Sequence, residues 1–436
     1  MNPALAAGFG LCRWENSTIS VRRIRYIYAM PTSRRNFLSL STLGLTAIGS
    51  TLGALVPKRS NASPHAAPAP PNTSGAAPIP PNISGAAPTP SNAPGAELEN
   101  FVYDIENGSK GWVGEGGSAK EATVDEFPVS QSIAGVSMRL KPGAFRELHW
   151  HSIAAEWAYV LEGRVRTTVI TPDGTTSTDD FETGDIWYFP KGYGHMLQCL
   201  GDKPAHFLLG FDSGHFSEFG TFSVTDWVSQ TSPEIMARNT GLPASFFARL
   251  PKKEVYIGVG KLPTDPIPKN INPGKPTSAF SHKFRMEKDA PMQEFKGGFH
   301  KVVSSVEFPI QNSLTAVRMN IEPGCIRELH WHPNADEWQY VMSGTGKVSI
   351  FGSHGRVKTM PFSKGMVSFI KQGYGHYVEN TGTETLKLII LFNSPIYQEL
   401  SLNEWLVANP AQLVADHFGM TTEQAASLSD HKKGIY

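Results

Sequence analysis

An internal duplication constrains this chain more than any other feature. The stretch GAFRELHWHSIAAEWAYVLEG, residues 143–163, returns as GCIRELHWHPNADEWQYVMSG, residues 324–344, with each matched residue 181 positions after its counterpart. The offset persists into a second run, where GDIWYFPKGYGH (184–195) meets GMVSFIKQGYGH (365–376). A constant offset over that distance requires two successive domains of one fold. At 436 residues the chain is long enough for each to bury its own core.

Within each copy the local pattern is β. Segments such as WAYVLEGRVRTTVI (157–170) and KVSIFG (347–352) are rich in Val, Ile, Thr and aromatic residues, and Gly, Asp-Gly and Pro-x-Gly turns punctuate them at short intervals. Many short strands with regular turns predict an all-β sandwich or barrel. Each copy closes on an amphipathic, helical segment, TDWVSQTSPEIMARNTG (225–241) and NEWLVANPAQLVADHFG (403–419), suited to packing on the barrel or on a neighbouring subunit.

The first hundred residues read differently. SRRNFLSLSTLGLTAIGSTLGALV (33–56) sets Arg34 and Arg35 before an apolar stretch diluted by Gly, Ser and Thr, with a small-residue site near Ser60–Ala62. This resembles a twin-arginine export signal and predicts a periplasmic or secreted protein; a membrane anchor is the competing reading. Met30 is a second possible start. The run PNTSGAAPIPPNISGAAPTP (71–90) is a repeated decapeptide too rich in Pro and Gly to build a core, and reads as a spacer. The expected organisation is an extension and signal over 1–62, a linker over 63–97, a first domain over 98–262 and a second over 275–436.

Lys plus Arg and Asp plus Glu both number 39, and no basic stripe is present, which argues against a nucleic-acid partner. Three cysteines, Cys12, Cys199 and Cys325, define no disulfide framework.

The chemistry lies in the duplicated runs. His149 and His151 are two apart, so on a strand both rings share one face; Glu156 follows closely, and His195 arrives from a distant strand. Three imidazoles and a carboxylate suit a divalent first-row metal with open positions left for substrate. His330, His332, Glu337 and His376 repeat the set at unchanged spacing, and an isolated His-x-His would carry far less weight.

Gly-x5-His-x-His-x4-Glu-x6-Gly followed by Gly-x5-Pro-x-Gly-x2-His is similar to the two-part cupin motif, with Lys371 at the usual Pro in the second copy. RELHWH in both copies, DIWYFPKGYGH, FSVTDW and SLNEWL resemble the bicupin oxalate decarboxylases from about Asn100 to the C-terminus. The resemblance implies a double-stranded β-helix (jelly roll) in each half, Mn(2+) at both sites, dioxygen as co-catalyst, oxalate as substrate, and a homo-oligomer, a trimer or a hexamer of paired trimers. It also implies that Arg146, and Arg327 in the second copy, bind substrate. Strict alternation places Glu147 rather than Arg146 on the His face, so Arg146 requires a local bend in its strand.

The copies separate after the last matched strand. Phe211 and Phe392 keep the offset of 181, but Trp227 and Trp405 are 178 apart, leaving three extra residues in the first copy. In the resembling enzymes this interval is a lid whose Ser-Glu pair carries the catalytic Glu, here Ser217-Glu218, although Phe219 and Gly220 depart from the usual polar lid residues. The supporting Glu that the family often has fourteen residues past the last His ligand is Ile390 here. The second site is therefore expected to be structural or auxiliary, with no evident proton shuttle. Rival readings are an oxalate oxidase releasing hydrogen peroxide, a non-catalytic bicupin binding or storage protein, and a bicupin dioxygenase acting on an aromatic compound.

Overall fold

The computed structural model describes residues 97–108, 111–269, 271–272, 277–429 and 432–436. The expected export signal, the repeated decapeptide and Met30 lie outside the described residues. Among the described residues no helix is long and apolar enough to cross a membrane.

Two tandem cupin domains, each a jelly roll of antiparallel strands, make up the described chain. In the first, the large sheet runs Ile186–Phe189, Glu156–Glu162, Ala205–Phe211, Ala134–Leu140, Gly117–Ala122, Gly111–Gly114. The small sheet is built on Thr176–Glu182, Arg164–Ile170, His195–Cys199 and Phe145–Trp150. Val136, Met138, Val160 and Leu209 of one sheet meet Val165, Val169 and Leu197 of the other in a single core. The second domain repeats the plan with Met366–Ile370, Glu337–Ser343, Leu386–Phe392, Thr315–Ile321 and Gly298–Val303 facing Val357–Ser363, Thr345–Phe351, Gly375–Asn380 and Ile326–Trp331.

The apolar run after each Glu ligand has a physical explanation here. Glu156–Glu162 is buried at five successive positions instead of alternating. Ala158 and Val160 face their own core, while Trp157 and Tyr159 join the second domain's core. The large sheets thus pack back to back. Contact is close: a Cβ on Gly135 would lie 2.2 Å from the Trp338 ring, and one on Gly210 2.2 Å from Leu391. The glycines that open each first motif, Gly143 and Gly324, both have φ 75°, left-handed backbone that favours glycine.

The domains also exchange strands. Val102–Asp104 pairs with Met366–Ser368 of the second domain, and Lys283–Phe284 pairs with Ile186–Trp187 of the first. These are equivalent segments 181 apart, so each domain's leading segment completes the other's large sheet. Glu106 then receives the Tyr340 hydroxyl at 3.2 Å, and its counterpart Glu287 receives Tyr159 at 3.0 Å. A division at residues 98 and 275 is crossed in both directions, a pairing that hydrophobic pattern alone does not reveal. Each closing segment, expected to be helical, forms two short helices: Val224–Gln230 and Pro233–Thr240, then Leu402–Val407 and Ala411–Phe418.

Candidate functional site

Phe145–Trp150 carries His149, and His151 follows it directly; Glu156 begins the next strand in sequence, in the large sheet, and His195 opens His195–Cys199. Hydrogen-bond register sets His195 opposite His149. The four side chains are buried, and one ligand atom of each lies within 4.8 Å of those of the others. Backbone carbonyls orient the rings: His149 Nδ1 lies 2.6 Å from Glu147 O, and His195 Nδ1 2.8 Å from Tyr193 O. Trp187 Nε1 donates to Glu156 Oε1 at 2.7 Å, which leaves Glu156 Oε2 facing His151 Nε2 and His195 Nε2 at 3.0 and 3.2 Å.

The second cage is built from His330, His332, Glu337 and His376 within the same limit. His330 and His376 are held by Glu328 O and Tyr374 O at 2.6 and 3.0 Å. Ser368 stands at the Trp187 position, and Gln339 fixes Glu337 Oε1 at 2.7 Å in its place. Different side chains thus produce the same cage.

Both cages fit a divalent cation. Burial holds His149 and His330 well below the ordinary imidazole range, with Arg146 and Arg327 respectively adding to it. Burial alone would raise the Glu156 and Glu337 carboxyls, but His195 and His151, and His376 and His332, keep them low. Neutral imidazoles and an ionised carboxylate are the forms that coordinate metal. Among the described residues, His149 Nε2 is buried without a hydrogen bond, and Glu337 Oε2 meets His332 Nε2 and His376 Nε2 at 3.0 and 2.9 Å, converging atoms that a bound cation would satisfy.

Arg146 reaches the first cage because its strand bends. His195 pairs with His149 and Leu197 with Arg146, so one extra residue is taken up on the His149 strand. The same irregularity separates Arg327 from His330. Both Arg146 and Glu147 are consequently buried, while Leu148 is exposed. Arg146 is fully enclosed, and Glu218 is 1% exposed. Arg146 Nε donates to Glu218 Oε1 at 2.8 Å and Nη2 to Thr221 Oγ1 at 2.6 Å; Glu218 Oε1 lies 3.9 Å from His149 Nε2. The interval expected to form a lid thus lies beside the first cage, with Glu218–Gly220 as a short 3-10 turn capped by Ser217.

Three further residues that sequence reasoning missed support this arrangement. Tyr256 lies under the Arg146 guanidinium at 4.1 Å, Glu254 Oε1 is 3.7 Å from Nη1, and Glu121 accepts from Ser217 Oγ and the Glu218 amide. Tyr256 takes φ 56°, a backbone strain of roughly 1–2 kcal/mol for a side chain of this kind. All three come from segments with no motif of their own.

The second site holds a carboxylate that the offset of 181 conceals. Phe222–Ser223 pairs with Trp150 and His149, and Leu400–Ser401 with Trp331 and His330, so here counterparts are 178 apart. Glu399 therefore stands where the first site has Thr221. It binds Arg327 Nη2 and Lys432 Nζ, and it accepts from the Tyr397 hydroxyl at 2.7 Å. Arg327 thus has an anionic partner already, a carboxylate that the comparison at offset 181 did not bring out.

The cupin family model matches residues 109–245 and 285–426. Oxalate decarboxylase OxdC of Bacillus subtilis (strain 168) is 40% identical over 324 residues, covering 74% of this chain and 83% of that protein. A structure of B. subtilis oxalate decarboxylase, studied for its Mn(II) centres, superposes with a TM-score of 0.73 at 36% identity, covering 80% of this chain and 91% of that one. A formate complex of Lactobacillus farciminis oxalate decarboxylase gives 0.73 at 37% identity, covering 77% and 98%. The chain belongs to the cupin family, among its two-domain oxalate decarboxylases.

Proposed function

We propose that this chain converts oxalate and a proton to formate and carbon dioxide at the first cage, with manganese bound in both cages and dioxygen as co-catalyst. The observation that carries this reading is the enclosed Arg146–Glu218 pair beside His149, present in the first copy and replaced by Arg327–Glu399–Lys432 in the second. Manganese held by His149, His151, His195 and Glu156 supplies one-electron redox chemistry and a positive charge for a carboxylate.

The chain's own residues do the rest. Arg146 offers its guanidinium edge to an oxalate carboxylate, so binding substrate requires Glu218 to shift from Nε toward the substrate proton. Heterolytic loss of carbon dioxide from oxalate would leave an unstabilised acyl anion. Removing one electron and one proton first avoids it. Glu218 accepts that proton and, once carbon dioxide has left and the electron is returned, gives it to carbon to complete formate. The folded lid keeps water from the intermediate and keeps the proton next to the carbon that needs it.

Replacing Glu218 with Gln is expected to abolish formate while leaving manganese content unchanged; unchanged turnover would remove Glu218 from this role. The oxidase reading is separated in the same assay by hydrogen peroxide, since failed protonation diverts the intermediate. Absence of oxalate consumption would leave the binding-protein and dioxygenase readings.

The second site serves as a structural or auxiliary metal centre in this reading, because Arg327 is already paired with Glu399, which Lys432 holds from its other side-chain oxygen. Two equivalent exposed apolar patches, Phe222 with Trp227 and Leu400 with Trp405, support a homo-oligomer in which they are covered. Export by the Arg34–Arg35 signal would let the chain fold and load manganese inside the cell, away from competing zinc and copper. Replacing both arginines with Lys should then retain the protein in the cytoplasm.

A further inference from the structure

Glu121 lies on Gly117–Ala122, a strand of the large sheet, and belongs to neither motif. It is 5% exposed. Its carboxyl group accepts from two donors, both in the lid. Ser217 Oγ donates to Oε1 at 2.9 Å and to Oε2 at 3.1 Å, and the Glu218 backbone N–H donates to Oε2 at 3.1 Å. The same lid turn presents the Glu218 side chain to Arg146 on its other side. Glu121 and Arg146 therefore hold the same residue, one by its backbone N–H and the other by its side-chain carboxylate.

The second copy provides an internal control. Glu121 pairs with Val136 and Val302 with Val317, so Val302 occupies the same register. The copy without the lid insertion has an apolar side chain where the copy with it has a buried carboxyl group. Burying a carboxyl group in a sheet is costly unless it is hydrogen-bonded, and every partner it has here is in the lid.

The geometry points to Glu121 as a positioning residue, a latch that holds Ser217 and the Glu218 backbone so that the Glu218 side chain is aimed at Arg146 and the first cage. The inference rests on the oxalate decarboxylase reading for its consequence, but the latch itself is readable without turnover. Burial pushes the Glu121 carboxyl up to about 7, with Glu126 and Glu218 adding to the rise against the opposing pull of Ser217 and the Glu218 amide. A neutral latch on the acid side of that value keeps a second negative charge away from the Arg146–Glu218 pair while still offering an acceptor oxygen.

Loss of the latch frees the lid turn without removing Glu218, so proton return to carbon becomes slower relative to escape of the intermediate. Hydrogen peroxide should then increase at the expense of formate. A residue that only filled space would not change that ratio.

The test uses the manganese-loaded full chain with Glu121→Val, the residue the second copy already accommodates, and Glu121→Gln, which keeps one acceptor oxygen. Amide hydrogen exchange over residues 215–222 is measured without oxalate, and formate and peroxide are measured with it. Glu121→Val should exchange the Glu218 amide roughly tenfold faster than the parent, a size set by the loss of lid hydrogen bonds. Glu121→Gln should fall between the two, and the formate-to-peroxide ratio should drop in the same order. Lid exchange unchanged in both variants overturns the latch, and faster exchange with an unchanged product ratio overturns its positioning role. Should Glu121→Val not fold, Glu121→Gln decides by the same two readouts. If the parent consumes no oxalate, the decarboxylase reading fails while the exchange result still decides the latch.

Discussion

Arg146 shows how a single residue depends on its surroundings. Glu218 and Thr221 occupy its fork and Tyr256 supports its face, an arrangement that a lysine ammonium does not reproduce. Arg146→Lys should therefore raise KM for oxalate by about tenfold or more, the weight of one or two charge-assisted hydrogen bonds, with metal content unchanged; steady-state kinetics beside elemental analysis checks it. Glu121 gives a second prediction at this scale. Its carboxyl group stands at about 7 in the folded chain against 4.5 ordinarily. Its contribution to stability is thus complete below about 4.5 and lost as pH rises through 7. Between about pH 5 and 8 the melting temperature of the parent should fall relative to Glu121→Gln, by at most about 3 kcal/mol of stability before solvent screening reduces it. The ligands were legible in the sequence because a strand and its turn carry three of them within eight residues, and repetition supplied the fourth. Tyr256, Glu121 and Glu399 were not, because each meets its partner, Arg146, the 217–218 turn and Arg327 respectively, through tertiary packing that no local spacing encodes.

At the scale of elements, the His strand and the exchanged strands carry most of the meaning. One irregularity in the Phe145–Trp150 pairing turns Arg146 inward, which alternation alone forbids. Sequence flagged the need for a bend, and the structure supplies it in both copies. The exchange of Val102–Asp104 and Lys283–Phe284 was not legible, since a short strand reads the same whichever sheet it joins. It predicts that a chain beginning at residue 109 damages the second domain. Such a chain loses buried Phe101 and Ile105 from the second domain's core and uncovers the edge of Met366–Ile370, a loss of several kcal/mol. Hydrogen exchange should quicken in residues 366–370 before it does in residues 195–199; uniform exchange would contradict the assignment of that strand.

Across the whole molecule, duplication produced two like scaffolds whose sites have diverged. Both cages bury an ionised carboxylate among imidazoles, so removing metal should destabilise both domains. Dialysis against a chelator should lower the melting temperature, and manganese should restore it at a stoichiometry near two per chain; binding at a thousandfold excess over Kd adds about 4 kcal/mol. The fold and the cages could be read from the offset of 181, whereas the divergence of the sites lies where that offset becomes 178 and arginine meets Glu218 in one copy and Glu399 in the other. The most direct test compares Glu218→Gln with Glu399→Gln at equal manganese content, measuring formate released from oxalate. One working site and one partner site require the first variant to lose formate production and the second to retain it. Formate production surviving in Glu218→Gln, or lost in Glu399→Gln alone, would contradict the account.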